Sequence, residues 1–256
     1  MRVIVTRPSA QAAAWVGRLH ALGCDAVALP LIAIAPVDDP APLQAAWAAL
    51  ASKALVVFVS ANAVVQFFAR RPPGAWPAAV LAGSTGPGTT RALRAAGVPE
   101  AAIVEPAADA PAFDSEALWS RLAARDWAGR QVLVVRGENG RDWLAATLAA
   151  RGANVQFVAA YRRLPPPLDD GARRLLAEAI AAPRRHLWCF SSSEAVGRLR
   201  ALAPAADWSA ALAVATHPRI AESARCAGFG AVAPVGATPE ALAAFAARAS
   251  IQSDPL

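Results

Sequence analysis

The chain has 256 residues, 56% apolar and 17% charged, long and apolar enough for one large or two ordinary packed domains and unlike a disordered chain. Its net charge of +6 comes from arginines scattered along the chain with Lys53 as the lone lysine, and there is no basic tail, interleaved aromatic platform or zinc-finger spacing. That pattern permits an acidic small molecule and speaks against nucleic acid, while no apolar run reaches the roughly 18 residues of a membrane span.

In chain order, short β-branched runs alternate with alanine-rich helical stretches. Residues 1–8 turn polar too early for a signal peptide and read as a first strand. Strands are predicted at 2–6, 26–34, 55–59, 79–83, 131–135, 154–160, 186–190 and 211–215. Helices are predicted at 9–22, 42–51, 62–70, 88–96, 115–124, 141–151, 170–182, 194–202, 219–227 and 239–249. This alternation predicts an α/β fold of parallel sheets with helices on both faces, in which ligands sit at the carboxyl ends of strands. Cys24, Cys189 and Cys226 have no metal-like spacing and are expected as buried thiols in a reducing cytoplasm. Trp15, Trp47, Trp119 and Trp143 fall in helical patterns and are expected to pack. The tail from Ser250 to Leu256 is expected to fray.

The chain repeats itself. Val3-Ile4-Val5-Thr6-Arg7 matches Val132-Leu133-Val134-Val135-Arg136, and Leu19 and Gly23 fall with Leu148 and Gly152. Phe58-Val59-Ser60-Ala61-Asn62-Ala63-Val64 matches Phe190-Ser191-Ser192-Ser193-Glu194-Ala195-Val196. Gly86-Pro87-Gly88 through Gly97 aligns with His217-Pro218-Arg219 through Gly228, sharing the proline, Arg94/Arg225 and the last glycine. Three blocks in one order at a nearly constant offset indicate a duplication, hence two similar domains. Pro30–Pro42 and Phe157–Leu168 hold equivalent positions, each extended and ending near an acidic pair. They read as two chain crossings running side by side, with a serial layout broken near residues 126–130 as the alternative.

The candidate groups lie at predicted strand-to-helix turns. Ser60 and Ser192 fit helix N-caps, and the same helix starts also offer N–H groups to an anion. Gly83 to Thr90 resembles a phosphate-binding loop but carries Thr89 where that loop needs lysine, so a tight turn with cleft-facing amides fits better than a nucleotide site. Tyr161, the one tyrosine, is either an amphipathic packing residue or a functional acid on the hinge-like segment. His20 and His186 suit solvent or packing roles, and His217 opens a cleft loop. No serine triad, metalloprotease motif or close carboxylate cluster appears.

Together Val-Thr-Arg-Pro at 5–8, Phe-Val-Ser-Ala-Asn-Ala-Val at 58–64, Gly-Pro-Gly-Thr at 86–89, Val-Arg-Gly-Glu-Asn-Gly-Arg at 135–141, Tyr-Arg-Arg at 161–163 and Phe-Ser-Ser-Ser-Glu-Ala-Val at 190–196 carry a family signature. In their order and spacing they resemble the uroporphyrinogen-III synthase family over essentially the whole chain. The resemblance implies two similar parallel-sheet domains with helices on both faces, joined by a two-stranded connector, with the active-site cleft between them. One domain would comprise 1–36 plus 166–256 and the other 41–156, with 37–40 and 157–165 as connector strands.

It further implies cyclisation of hydroxymethylbilane to uroporphyrinogen III in tetrapyrrole biosynthesis, with loss of water and inversion of the last ring through a spiro intermediate, and with no cofactor or metal. Tyr161 matches the tyrosine that assists departure of the hydroxyl. Arg7, Ser60, Asn62, Pro87, Gly88, Thr89, Arg136, Gly137, Ser192 and Ser193 fall on substrate-binding positions. His217-Pro218-Arg219-Ile220 departs from the family's second Gly-Pro-Thr-like loop, which leaves His217 or Arg219 to meet a carboxylate instead. A cytoplasmic monomer acting on a linear tetrapyrrole with many carboxylates is expected, without nucleic acid or membrane. The competing reading is a non-enzymatic, cleft-type sensor or binding protein for an anionic small molecule, because fold does not decide function.

Overall fold

The computed structural model describes residues 1–251; residues 252–256, in the tail expected to fray, lie outside the described residues. The chain divides into two compact units, unit one from Met1–Ala33 with Leu164–Leu256 and unit two from Ile34–Arg163.

Unit one is built on strands β1 (Arg2–Val5) and β2 (Ala26–Ala28). The chain then leaves it, and β3 (Ala33–Pro36), β4 (Leu55–Phe58), β5 (Leu81–Ser84), β6 (Ile103–Val104), β7 (Gln131–Gly137) and β8 (Asn154–Leu164) form one six-stranded sheet. Returning, it adds β9 (His186–Phe190), β10 (Leu212–Ala215) and β11 (Ala231–Pro234) to the first sheet. The helices are α1 (Ser9–Ala21), α2 (Ala41–Ala48), α3 (Ala61–Phe68), α4 (Pro87–Ala95), α5 (Ser115–Leu122), α6 (Trp143–Ala150), α7 (Asp170–Ala181), α8 (Ser193–Leu202), α9 (Pro218–Cys226) and α10 (Pro239–Ile251).

The sheets run β11-β10-β9-β1-β2 and β3-β8-β7-β4-β5-β6. Pairing within β1-β2, β1-β9, β9-β10, β10-β11, β4-β5, β4-β7, β5-β6 and β7-β8 is parallel. The sequence repeat places β7 with β1, β4 with β9 and β5 with β10. Read through that correspondence, the five strands of the first sheet have the same order as five of the second, with β6 answering β11, β8 answering β2 and β3 added at the second sheet's edge. The duplication is therefore a duplication of topology.

The central strands are apolar at consecutive positions because both faces of the sheet are covered. In unit two, Val56, Phe58, Leu133 and Val135 join one core with Trp47, Phe67 and Trp76. Their neighbours Leu55, Val57, Val132 and Val134 point into a second core with Leu118, Leu122 and Trp127. In unit one, Val3 and Val5 pack with Ala12, Trp15 and Leu19 of α1, residues spaced along one helical face. The repeated glycines end helices. Gly23 and Gly152 follow α1 and α6, Gly97 and Gly228 follow α4 and α9, and all four have φ between 79° and 96°. This left-handed position after a helix strongly favours glycine.

Three expectations are corrected. The strand expected over 26–34 breaks into β2 and β3 around Pro30, which has no N–H to give a ladder. Trp143 is 39% exposed, because the buried face of α6 is Leu144, Ala145 and Leu148 and Trp143 falls beside it. Of the thiols only Cys189 is buried; Cys24 is half-buried, and Cys226 is exposed at the end of α9.

Candidate active site

In each unit the chain reverses its direction of winding at one point. Unit two proceeds from β4 outward to β5 and β6, then returns to the other side of β4 with β7 and β8. Unit one proceeds from β1 to β2, then returns to the other side of β1 with β9, β10 and β11. In open α/β sheets the crevice at such a switch, outside the carboxyl ends of the strands, is where ligands bind. The switch in unit two lies between β4, which leads into Ser60, and β7, which ends at Arg136-Gly137. In unit one it lies between β1 and β9, which lead into Thr6-Arg7 and Ser191-Ser192-Ser193. Arg7, Ser60, Asn62, Arg136, Gly137, Ser192 and Ser193 lie at these ends, whereas Pro87, Gly88 and Thr89 follow the neighbouring β5, His217 and Arg219 follow β10, and Tyr161 lies in β8.

Unit two brings Ser60, Gly137 and Tyr161 together. Ser60 is the N-cap of α3, its Oγ accepting the Ala63 N–H at 3.1 Å. That oxygen is also 3.1 Å from the Tyr161 hydroxyl. Arg163 donates to the same hydroxyl at 3.1 Å, and its guanidinium carbon lies 5.6 Å from the centre of the Tyr161 ring. Tyr161 is fully buried, its ring in the core with Phe58, Val135 and Val158. The packing and polar roles of this side chain thus coexist.

A break in register aims the ring. Arg136 stands opposite Ala159, but Gly137 stands opposite Tyr161, so β8 carries one extra residue there. Ala160 and Tyr161 are consequently both buried, against the alternation of a regular strand. Asn62 sits in the first turn of α3, half-buried. Arg136 pairs with Asp142, and its guanidinium lies 4.2 Å from the centre of the Phe157 ring.

The turn at Gly86 is held from beneath. Ser84 Oγ donates to Gly86 O at 2.9 Å and lies 2.8 Å from Thr90 Oγ1. Thr90 Oγ1 donates to a carboxylate oxygen of Glu105 at 2.6 Å. Ser84 and Thr90 are fully buried, so this polar cluster persists because its members satisfy one another. Helix α4 begins at Pro87 with no capping side chain; Gly88 is half-buried and Thr89 buried. Arg94 joins Glu100 and Glu105, and its guanidinium holds the Glu100 carboxyl below the usual carboxylate range.

Unit one places Arg7 over the Trp15 ring at 4.0 Å, with a hydrogen bond to Gln11. Thr6 Oγ1 donates to the carbonyl of Cys189 at 2.8 Å. Burial pushes the Cys189 thiol up to about 12, opposed by the nearby Arg7 charge. Ser192 caps α8, accepting the Glu194 N–H at 3.2 Å, and exposed Ser193 reaches the carbonyl of Arg219 at 3.5 Å. His217 caps α9: its Nδ1 accepts the Arg219 N–H at 3.1 Å. Arg219 is exposed. Where α4 starts on a bare glycine, α9 starts under an imidazole.

Glu105 was not singled out by sequence, while Arg163 stood there only within the Tyr-Arg-Arg signature and Ser84 and Thr90 only within the Gly83–Thr90 turn, none with a role of its own. Arg163 had a signal, since two residues along a strand return to the same side and so place it beside Tyr161. Ser84 and Thr90 had their place in the glycine-rich turn, but nothing in the sequence showed that they hold it together. A groove of about 540 Å³ lined by Pro30, Pro166, Leu168, Arg174 and neighbouring residues contains none of the candidates.

Two sheets sharing a five-strand order, each with candidate residues at a switch point, define a duplicated α/β protein of the doubly wound kind. The family model described as uroporphyrinogen-III synthase HemD matches residues 13–244. The uroporphyrinogen-III synthase of Salmonella typhimurium is 34% identical over 180 residues, covering 66% of this chain and 68% of that protein. That of Escherichia coli is 34% identical over 165 residues, 64% of this chain and 65% of that protein. That of Synechococcus elongatus is 30% identical over 218 residues, covering 81% and 78%. Among solved structures, a mutant uroporphyrinogen III synthase from Thermus thermophilus has a TM-score of 0.62 at 19% identity, covering 99% of this chain and 100% of that one. The uroporphyrinogen-III synthetase of Helicobacter pylori has a TM-score of 0.56 at 14% identity, covering 98% and 100%; both share the fold. The chain belongs to the uroporphyrinogen-III synthase family.

Proposed function

We propose that the chain closes hydroxymethylbilane, a linear tetrapyrrole, to uroporphyrinogen III with inversion of the last ring and release of water. The observation that carries this reading is the family match along residues 13–244. Tyr161 gives its proton to the departing hydroxyl as the carbon–oxygen bond breaks, leaving water, a phenolate and an azafulvene cation on the substrate. The substituted carbon of the last ring attacks that cation, and the spiro intermediate rearranges. The proton finally shed by the product ring returns to Tyr161. The substrate supplies the reactive cation, so no cofactor is needed and positioning is the main contribution of the protein.

Arg7, Ser60, Asn62, Pro87, Gly88, Thr89, Arg136, Gly137, Ser192, Ser193, His217 and Arg219 are the groups we assign to substrate binding. Their support is their location at strand ends and helix starts, where amides and guanidiniums suit carboxylates. We assign the protein to the cytoplasm as a monomer that binds no nucleic acid; no helix among the described residues is long and apolar enough to cross a membrane. The domains proposed are 1–36 plus 166–256 and 41–156, with 37–40 and 157–165 connecting them. The compact units dividing at Ala33/Ile34 and Arg163/Leu164 support that division.

The test uses fresh hydroxymethylbilane, oxidation of the product and separation of the isomers. Type III is expected to dominate, and a product no richer in it than the uncatalysed, mainly type I, mixture rejects the reading. Tyr161→Phe should be folded yet about 10²- to 10⁴-fold slower, the usual worth of a positioned acid. Full activity in that variant would remove Tyr161 from the reaction.

A further inference from the structure

We propose that Arg163 is a positioning residue for the reaction, acting through the Tyr161 hydroxyl; this rests on the assignment of Tyr161 as the acid. Arg163 Nη2 is 3.1 Å from the phenol oxygen, on the same side of β8. A guanidinium only donates, so the phenol oxygen must accept from it. The one phenolic proton is thereby turned away from Arg163. It points either to Ser60 Oγ, also at 3.1 Å, or to a substrate oxygen that takes its place. Ser60 Oγ already accepts the Ala63 N–H, which keeps that serine in a fixed position.

The contact also changes in strength during the reaction. While Tyr161 is neutral, Arg163 holds an ordinary phenol. Once the proton has left, the same bond joins a cation to a phenolate, and such charge-assisted bonds are roughly twice as strong. An interaction that strengthens as charge develops lowers the barrier, whereas one of constant strength changes only binding. Arg163 is exposed, so replacing it removes little from the core.

The experiment compares the intact protein with Arg163→Met, Arg163→Lys, Tyr161→Phe and the Tyr161→Phe/Arg163→Met pair, each assayed on fresh hydroxymethylbilane. Arg163→Met is expected to lower kcat about 100-fold, the lower end of the range for loss of one donor to a developing anion, with KM changed about 3-fold or less. Arg163→Lys should recover part of the rate. In the Tyr161→Phe background the methionine substitution should cost nothing further, because the hydroxyl through which Arg163 acts is gone.

Wild-type kcat in Arg163→Met overturns the proposal, as does an equal fold-loss in both backgrounds, the mark of a purely structural role. Circular dichroism melts identify any loss that comes from unfolding, and Arg163→Lys then carries the comparison. A fully active Tyr161→Phe is a different result: it removes the acid assignment itself.

Discussion

Gly137 and Tyr161 face each other across the break in register between β7 and β8, so closely that a Cβ on residue 137 would stand 3.0 Å from a ring carbon of the tyrosine. The bulge turns the ring and the missing side chain gives it room. Gly137→Ala should therefore push the ring by a few tenths of an ångström and cost about 1–3 kcal/mol, the usual range for overpacking. The activity should fall more than 10-fold, because small misplacements of an acid are costly. Urea melts and the isomer assay check both, and a variant with wild-type stability and rate would show that the ring moves freely.

Trp188 and Trp47 are both buried, but their indole N–H groups differ. Trp47 Nε1 donates to the carbonyl of Phe67 at 3.0 Å, whereas Trp188 Nε1 has no hydrogen-bond partner among the described residues. Replacement by phenylalanine removes apolar area from each, but from Trp188 it also removes an unsatisfied donor. Trp188→Phe should accordingly be milder than Trp47→Phe by about 1–2 kcal/mol in urea titrations. Equal or reversed costs would contradict the unpartnered donor.

Thiol chemistry should follow burial. With its thiol raised to about 12, Cys189 stays protonated in the native state while an unfolded cysteine ionises near the ordinary value of about 8.5. The unfolded chain sheds its proton first as pH rises. The stabilisation is therefore complete below about pH 8.5 and is lost progressively as pH climbs towards the native value. At pH 8, iodoacetamide should label exposed Cys226 first, half-buried Cys24 more slowly, and Cys189 only after denaturation. Labelling of native Cys189 at the rate of Cys226 would refute this.

Two glycines should respond in opposite directions to alanine. A Cβ on Gly230 would lie 1.8 Å from the Ser209 carbonyl oxygen, a backbone collision that no rotamer relieves. Gly230→Ala is expected to cost about 3 kcal/mol or more. Gly17, exposed within α1, has nothing within 4 Å of such a Cβ. Gly17→Ala should add about 0.5–1 kcal/mol through helix propensity, read from thermal melts.

Most elements were legible because apolar runs and capping residues mark them. Strand 186–190 appears at its predicted bounds, and α7 begins where Asp169 caps it. What escaped was short or tertiary. β6, two residues long, is too brief for periodicity to reveal, and β11 is mostly alanine and proline rather than a β-branched run; both exist because β5 and β10 offer them a ladder. The candidate turns were found through the repeat, but the bulge that aims Tyr161 was not, since register is a property of two strands together. The pairing of Arg136 with Asp142 and the seating of Arg7 on Trp15 were likewise invisible to composition.

The winding of unit one carries a consequence for synthesis. All strands of the other sheet come from one continuous stretch, so that sheet can form while translation proceeds. By contrast β1, made before that stretch, pairs through Val3 with Leu187 of β9, which emerges after it. Val3, Ile4 and Val5 are completely buried in the finished protein. Until β9 arrives they form a nascent apolar segment lacking one partner, the kind of unpaired strand that aggregates or engages chaperones. The amides of β4, β5 and β7 should accordingly gain hydrogen-exchange protection before those of β1, making a strand synthesised earlier one that becomes secure later.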